Sequence, residues 1–161
     1  MRYQMKQKLW AMGDDSTIKD AAGGDVFLVD GKVFSLGDKL AFRNVAGNEL
    51  AYIAQTLLSF KKRYEIHRRG RLFAEVVKEW SFFTDKYTVD IPGPNDYEMS
   101  GDFWDHEYRF TRSGREVAHV SKAFFSWSDT YGIDIVDGED DVTILATAVV
   151  IDLVNDDQRR K

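Results

Sequence analysis

The chain has 161 residues, 43% of them hydrophobic and 30% charged, the proportions of an ordinary globular domain. Its formal net charge of −5 argues against a general nucleic-acid binder. The lack of cysteine excludes disulfides and thiolate catalysis and suits a reducing cytoplasm.

Met1-Arg2-Tyr3-Gln4-Met5-Lys6 is followed by no apolar segment of the kind a secretion signal needs. Tyr3 to Trp10 alternates loosely and reads as a first strand, Gly13-Asp14-Asp15 as a turn, and Thr17 to Asp20 as a second strand. Val26 to Val29, then Asp30-Gly31, then Lys32 to Leu36 reads as a tight type I′ hairpin, because Asp-Gly accepts positive φ at both central positions. Gly37-Asp38 turns the chain into Leu40 to Val45, and Ala46-Gly47-Asn48 leads on to Glu49 to Leu57. Punctuation of this frequency predicts a closed antiparallel sheet rather than βαβ units.

The middle of the chain repeats itself without a gap at an offset of 44, residues 64–91 lying over 108–135. Eleven positions are identical, among them Arg68/Arg112, Gly70/Gly114, Arg71/Arg115, Ala74/Ala118, Val76/Val120 and Lys78/Lys122. Each copy reads strand, glycine turn, strand, aromatic corner, strand, so the repeat marks one supersecondary unit used twice. A fainter copy lies at Leu40 to Gln55 around Gly47. Because strands alternate with period two, the conserved apolar parity (Ala74/Ala118, Val76/Val120, Trp80/Phe124) is expected to face inward and Glu75/His119 outward. The loop from Pro92 to Gly101, holding both prolines, separates the two copies within a single domain spanning 1–161.

Val142 to Val154 is the most apolar run, interrupted only by Thr143, Thr147 and Asp152. It is too short to cross a bilayer, which takes about 20 apolar residues. Its β-branched content suits a strand. As a helix, at about 141–154, it has Asp140 or Asp141 for an N-cap and apolar side chains all round, the mark of an element buried on every side.

Taken together, Y3-Q-M-K-Q-K-L-W10, Val29-Asp-Gly-Lys-Val-Phe-Ser-Leu-Gly-Asp-Lys-Leu40, the two strand–glycine–strand repeats and the apolar run ending Ile151-Asp152 resemble the LURP-one-related family. That family has a fold like the tubby C-terminal domain, shared with phospholipid scramblases. The resemblance implies a mainly β (α+β) architecture: a closed antiparallel barrel of about twelve strands around one buried C-terminal helix. It carries no catalytic residues over and names a fold more than a task.

The densest positive run is Lys61, Lys62, Arg63, Arg68, Arg69 and Arg71, which Arg112 and Arg115 join if the repeats are neighbours. Tubby-like domains bind phosphoinositides, so this run is a candidate anionic-lipid or phosphate site; basic residues around a turn glycine are also simply at ease in water. The acidic run Asp134, Asp137, Glu139, Asp140 and Asp141 falls roughly where scramblase-type proteins are thought to bind calcium, yet lacks EF-hand spacing and is equally explained by helix capping. Lys78 and Lys122 fall on the inward parity, which a bulge or a snorkelling side chain accommodates more simply than a catalytic amine does. His67, His106 and His119 lack ligand spacing for zinc. No nucleophile elbow, phosphate loop or dinucleotide fingerprint is present, so neither catalysis nor a cofactor is expected. Trp10, Trp80, Trp104 and Trp127 read as packing around the helix. The resulting expectation is a non-enzymatic cytoplasmic binding or scaffold module, peripheral to a membrane rather than spanning it, with an anionic lipid surface or a protein as partner. The alternative is an enzyme or small-ligand receptor with its site at one barrel rim, around the Pro92–Gly101 loop and Lys78/Lys122.

Overall fold

In the computed structural model, which describes residues 1–6, 16–30, 39–56, 63–79, 86–126 and 129–160, twelve strands alternate apolar and polar side chains. They are β1 (Arg2–Lys6), β2 (Ser16–Asp20), β3 (Asp25–Asp30), β4 (Lys39–Asn44), β5 (Glu49–Gln55), β6 (Arg63–Arg68), β7 (Arg71–Glu79), β8 (Lys86–Asp90), β9 (Tyr97–Asp102), β10 (Glu107–Arg112), β11 (Arg115–Ser121) and β12 (Thr130–Ile135). Each pairs antiparallel with its neighbour in sequence, and β1 pairs with β12 to close the barrel. Closure removes the exposed edges that an open sheet would have to protect.

The predicted inward parity holds on the strands, with Ala74, Val76, Ala118 and Val120 buried, and Glu75 and His119 lie on the outer side. Val77 and Ser121, whose shared parity with Glu75 and His119 predicts the outer side, are buried instead. The barrel is filled by α1 (Asp141–Arg160). Every residue from Thr143 to Asn155 is buried, so the helix reading of the apolar run is correct and the strand reading is not. Burying Ile144, Leu145, Val149, Val150, Ile151, Leu153 and Val154 contributes on the order of 10–20 kcal/mol before entropic costs. The polar residues of this stretch each find a partner, as burial demands. Thr143 bonds to Asp140, Thr147 Oγ1 donates to the Thr143 carbonyl at 2.8 Å, and Asn155 Nδ2 donates to the Phe103 carbonyl at 2.9 Å.

Four further expectations change. The helix runs six residues past Val154, to Arg160, so Asn155 lies inside it. The predicted loop from Pro92 to Gly101 is a turn only as far as Asp96, because its second half forms β9 (Tyr97–Asp102). β3 pairs with β4, Val29 opposite Phe42, and with β2 on its other edge; the predicted turn at Gly31 and the strand Lys32 to Leu36 fall on 31–38, which lie outside the described residues. Phe124 does not face inward: it sits in a 3-10 turn (Lys122–Phe124), half-buried on the outer surface against His119, with Arg2 over its ring at 4.1 Å. Gly132 makes room for it, since a Cβ there would meet Phe124 Cβ at 2.7 Å. Trp104 is 41% exposed and meets the end of α1 through Arg159, 5.6 Å from its ring centre, rather than packing inside the barrel; Trp10, Trp80 and Trp127 lie outside the described residues.

Candidate functional site at the helix-entry rim

Antiparallel alternation sends the β6–β7 and β10–β11 turns, the β8–β9 turn at 91–96 and the segment before α1 to the same end of the barrel. The two repeat turns share one backbone geometry. Arg69 (φ 53) with Gly70 (φ 74) and Ser113 (φ 51) with Gly114 (φ 77) each give two successive positive-φ residues, flanked by the pairs Arg68↔Arg71 and Arg112↔Arg115. This is the type I′ turn that matches strand twist, which is why a glycine recurs there.

The two turn hairpins, β6–β7 and β10–β11, are not sheet neighbours, because β8 and β9 stand between them. The helix entry is what brings Arg68 and Arg112 into one site. Arg68 Nη1 donates to Asp140 Oδ2 at 2.7 Å, and Arg112 Nη2 donates to Glu139 Oε1 at 2.6 Å. Asp140 is also the N-cap: its Oδ1 accepts from Thr143 N at 3.2 Å and its Oδ2 from Thr143 Oγ1 at 2.8 Å. Tyr3 donates to Asp141, and Tyr97 donates to Glu139 Oε2 at 3.3 Å. Burial pushes the Tyr97 phenol up to about 12, with the Glu139 carboxylate adding to the effect and the Arg112 guanidinium opposing it. Burial, then the bond to Asp141, raises Tyr3 as well. The rim is therefore a stopper in which repeat-related arginines tie the helix entry to the wall.

The predicted basic patch divides. Arg63 starts β6 at the opposite end of the barrel and pairs with Glu75 at 3.1 Å, and Lys61 and Lys62 lie outside the described residues. Arg68 and Arg112 are engaged as above. Arg69, Arg71 and Arg115 remain exposed at the entry rim, with no side-chain ion pair or hydrogen bond among the described residues. Beside them on the same rim stand Val45, Leu72 and Val136, each at least half exposed.

The acidic candidates do not converge on a common point. Asp134 faces Arg2 at 3.5 Å, Asp137 faces the Met1 ammonium at 3.6 Å, and Glu139, Asp140 and Asp141 hold Arg112, Arg68 and Tyr3. Among the described residues no three metal-ligating side chains come together. Of the rim alternative's residues, Lys78 and Lys122 lie at the end of the barrel opposite the turn at 91–96 and at the same end as Gly101. Lys122 Nζ bonds to Asp105 at 2.8 Å and is more than a third exposed, and Lys78 lies 5.9 Å from the Tyr87 ring centre.

A polar cluster inside the barrel escaped the sequence reading. Asp152, the one charge in the buried run, accepts from Tyr131 on one oxygen and lies 2.8 Å from His106 Nε2 on the other. His106 stacks on the Tyr131 ring at 4.2 Å. Burial, and then the Asp152 charge, raises both Tyr131 and Tyr108. His106 Nδ1 and the Tyr108 hydroxyl are buried without a protein partner. The available signal was Asp152 itself, since a charge surrounded by apolar helix must be met by something from the wall.

The fold is a closed twelve-stranded antiparallel barrel with one buried C-terminal helix. The family model described as LURP-one-related matches residues 1–152, and the chain belongs to that family. It is 37% identical over 150 residues to the protein YxjI of Bacillus subtilis (strain 168), covering 93% of this chain and 91% of YxjI. The X-ray structure of the Arabidopsis thaliana protein AT5G01750 has the same fold, with a TM-score of 0.71 at 18% identity, covering 96% of this chain and 91% of that one.

Proposed function

We propose that the chain is a non-enzymatic docking module whose helix-entry rim lies against the anionic cytoplasmic face of a membrane. The observation that carries this reading is the trio of unpaired arginines, Arg69, Arg71 and Arg115, set among the exposed Val45, Leu72 and Val136. Clustered guanidinium groups attract anionic headgroups, each contributing about 1 kcal/mol near such a surface, and protruding apolar side chains add interfacial burial. The acidic residues Glu139, Asp140 and Asp141 oppose this little, since each is already bonded within the rim. The occupied interior supports surface docking over carriage of a ligand inside the barrel. No helix among the described residues is long and apolar enough to cross a membrane.

Co-sedimentation with phosphatidylcholine vesicles, with and without phosphatidylserine, tests the reading. Binding that requires the anionic lipid, weakens with salt and drops about tenfold or more in an Arg71→Glu/Arg115→Glu variant is the expected result. Equal binding to both vesicle types, or none to either, ends it.

A further inference from the structure

Beyond the membrane reading, we infer that a cleft beside the β6–β7 turn receives an extended polypeptide segment carrying both an acidic and a basic side chain. The β5–β6 ladder stops at Tyr52↔His67, although β5 continues to Glu49 and stays paired with β4 there. In this register Glu49, Leu50 and Ala51 face residues 68–70, which are already turning away. The result is a cleft of about 270 Å³ lined by Glu49, Leu50, Tyr52, His67, Arg69 and Gly70. Here a strand of the closed barrel overhangs its neighbour, and an overhanging strand offers main-chain groups to an added strand.

The side chains narrow the choice of occupant. Tyr52 and His67 meet edge to face at 6.3 Å and make an aromatic wall, and His67 is oriented by Glu65 at 2.8 Å. Arg69 and Glu49 are both exposed and neither is paired. An anionic headgroup alone would satisfy Arg69 but sit against Glu49, whereas a polypeptide can present one charge to each. The repeat supplies an internal comparison. The equivalent ladder end beside the β10–β11 turn, Glu98↔Thr111, borders a second cleft of about 260 Å³, lined by Pro94, Asp96, Glu98, Thr111, Ser113 and Gly114, where β9 extends past its last pair by Tyr97 alone. Its lining has carboxylates, no cation and no aromatic wall. The turn geometry is equivalent, so the chemistry at Arg69 and Tyr52 belongs to the first cleft and not to the turn as such.

The test is a titration of the isotope-labelled full chain, followed by amide NMR, with two blocked hexapeptides, acetyl-Thr-Val-Asp-Val-Lys-Thr-amide and its Lys/Asp-exchanged counterpart. Between them they cover both strand directions. Shifts confined to residues 49–52 and 67–70 are expected with one of them. Binding should weaken about tenfold in Arg69→Asn, a change that keeps the left-handed turn because Asn tolerates positive φ. The Arg71→Glu/Arg115→Glu variant should bind the peptide as the parent does, which separates this site from the membrane reading. Absence of shifts, shifts centred on the second cleft, undiminished binding in Arg69→Asn, or a response of these signals only to phosphatidylserine vesicles overturns the inference.

Discussion

Asp152 sets what is possible at the middle of the helix. Its two oxygens are each met by a wall side chain, Tyr131 and His106, and the group is buried to 5% exposure. Such a cluster adds little over a well-packed apolar substitute, but removing one member strands the others. Asp152→Ala or His106→Ala is therefore expected to cost about 3–5 kcal/mol in urea unfolding, and the double variant clearly less than the sum. Additivity of the two single changes would show that the contact carries no coupling. The sequence made Asp152 conspicuous but left its partners hidden. Asp152 and His106 are 46 positions apart, and no local pattern encodes which wall residue a rotated helix will face. Arg68 and Arg112 were legible as a repeated pair for the same reason that their partners were not: repetition is written along the chain, whereas their convergence on residues 139–140 depends on the closed barrel.

Among the elements, α1 was readable because continuous apolarity with an acidic start leaves few alternatives, and resemblance to a known family excluded the strand. The Arg69-Gly70 and Ser113-Gly114 turns were legible because register and turn agree there. At the helix entry, Asp140 serves as both cap and salt-bridge acceptor. Asp140→Ala should lower stability by about 1–2 kcal/mol, since a lost cap costs about 1 kcal/mol and a partly exposed ion pair up to about 1 kcal/mol more. Arg68→Ala, which spares the cap, should cost less. Thermal unfolding of the two variants gives the order, and the reverse order would mean that the arginine, not the cap, seats the helix.

For the molecule as a whole, the tyrosines of the barrel interior set the alkaline limit. Tyr97 is held up to about 12, and Tyr3, Tyr108 and Tyr131 are raised too, by burial first and neighbouring carboxylates second. An unfolded chain loses these protons near pH 10, while the folded one keeps them. The stability they contribute is thus fully present below pH 10 and is lost as pH climbs from 10 toward 12. Urea midpoints measured at pH 8, 9, 10 and 11 should be level up to about pH 9 and fall beyond it, with the 295 nm phenolate absorbance rising together with unfolding. A midpoint unchanged at pH 11 would show the phenols ionising freely in the folded state.

The seam between β1 and β12, where Arg2 meets Asp134 across 132 positions, has a consequence for biosynthesis. While the nascent chain grows on the ribosome, β1 has no closing partner until residue 135 has emerged, and the plug that fills the barrel follows later still. Every meander strand made before that moment waits with its greasy side uncovered. Contacts this distant in sequence form slowly, so translation products that end before residue 135 are expected to aggregate more readily than the full chain.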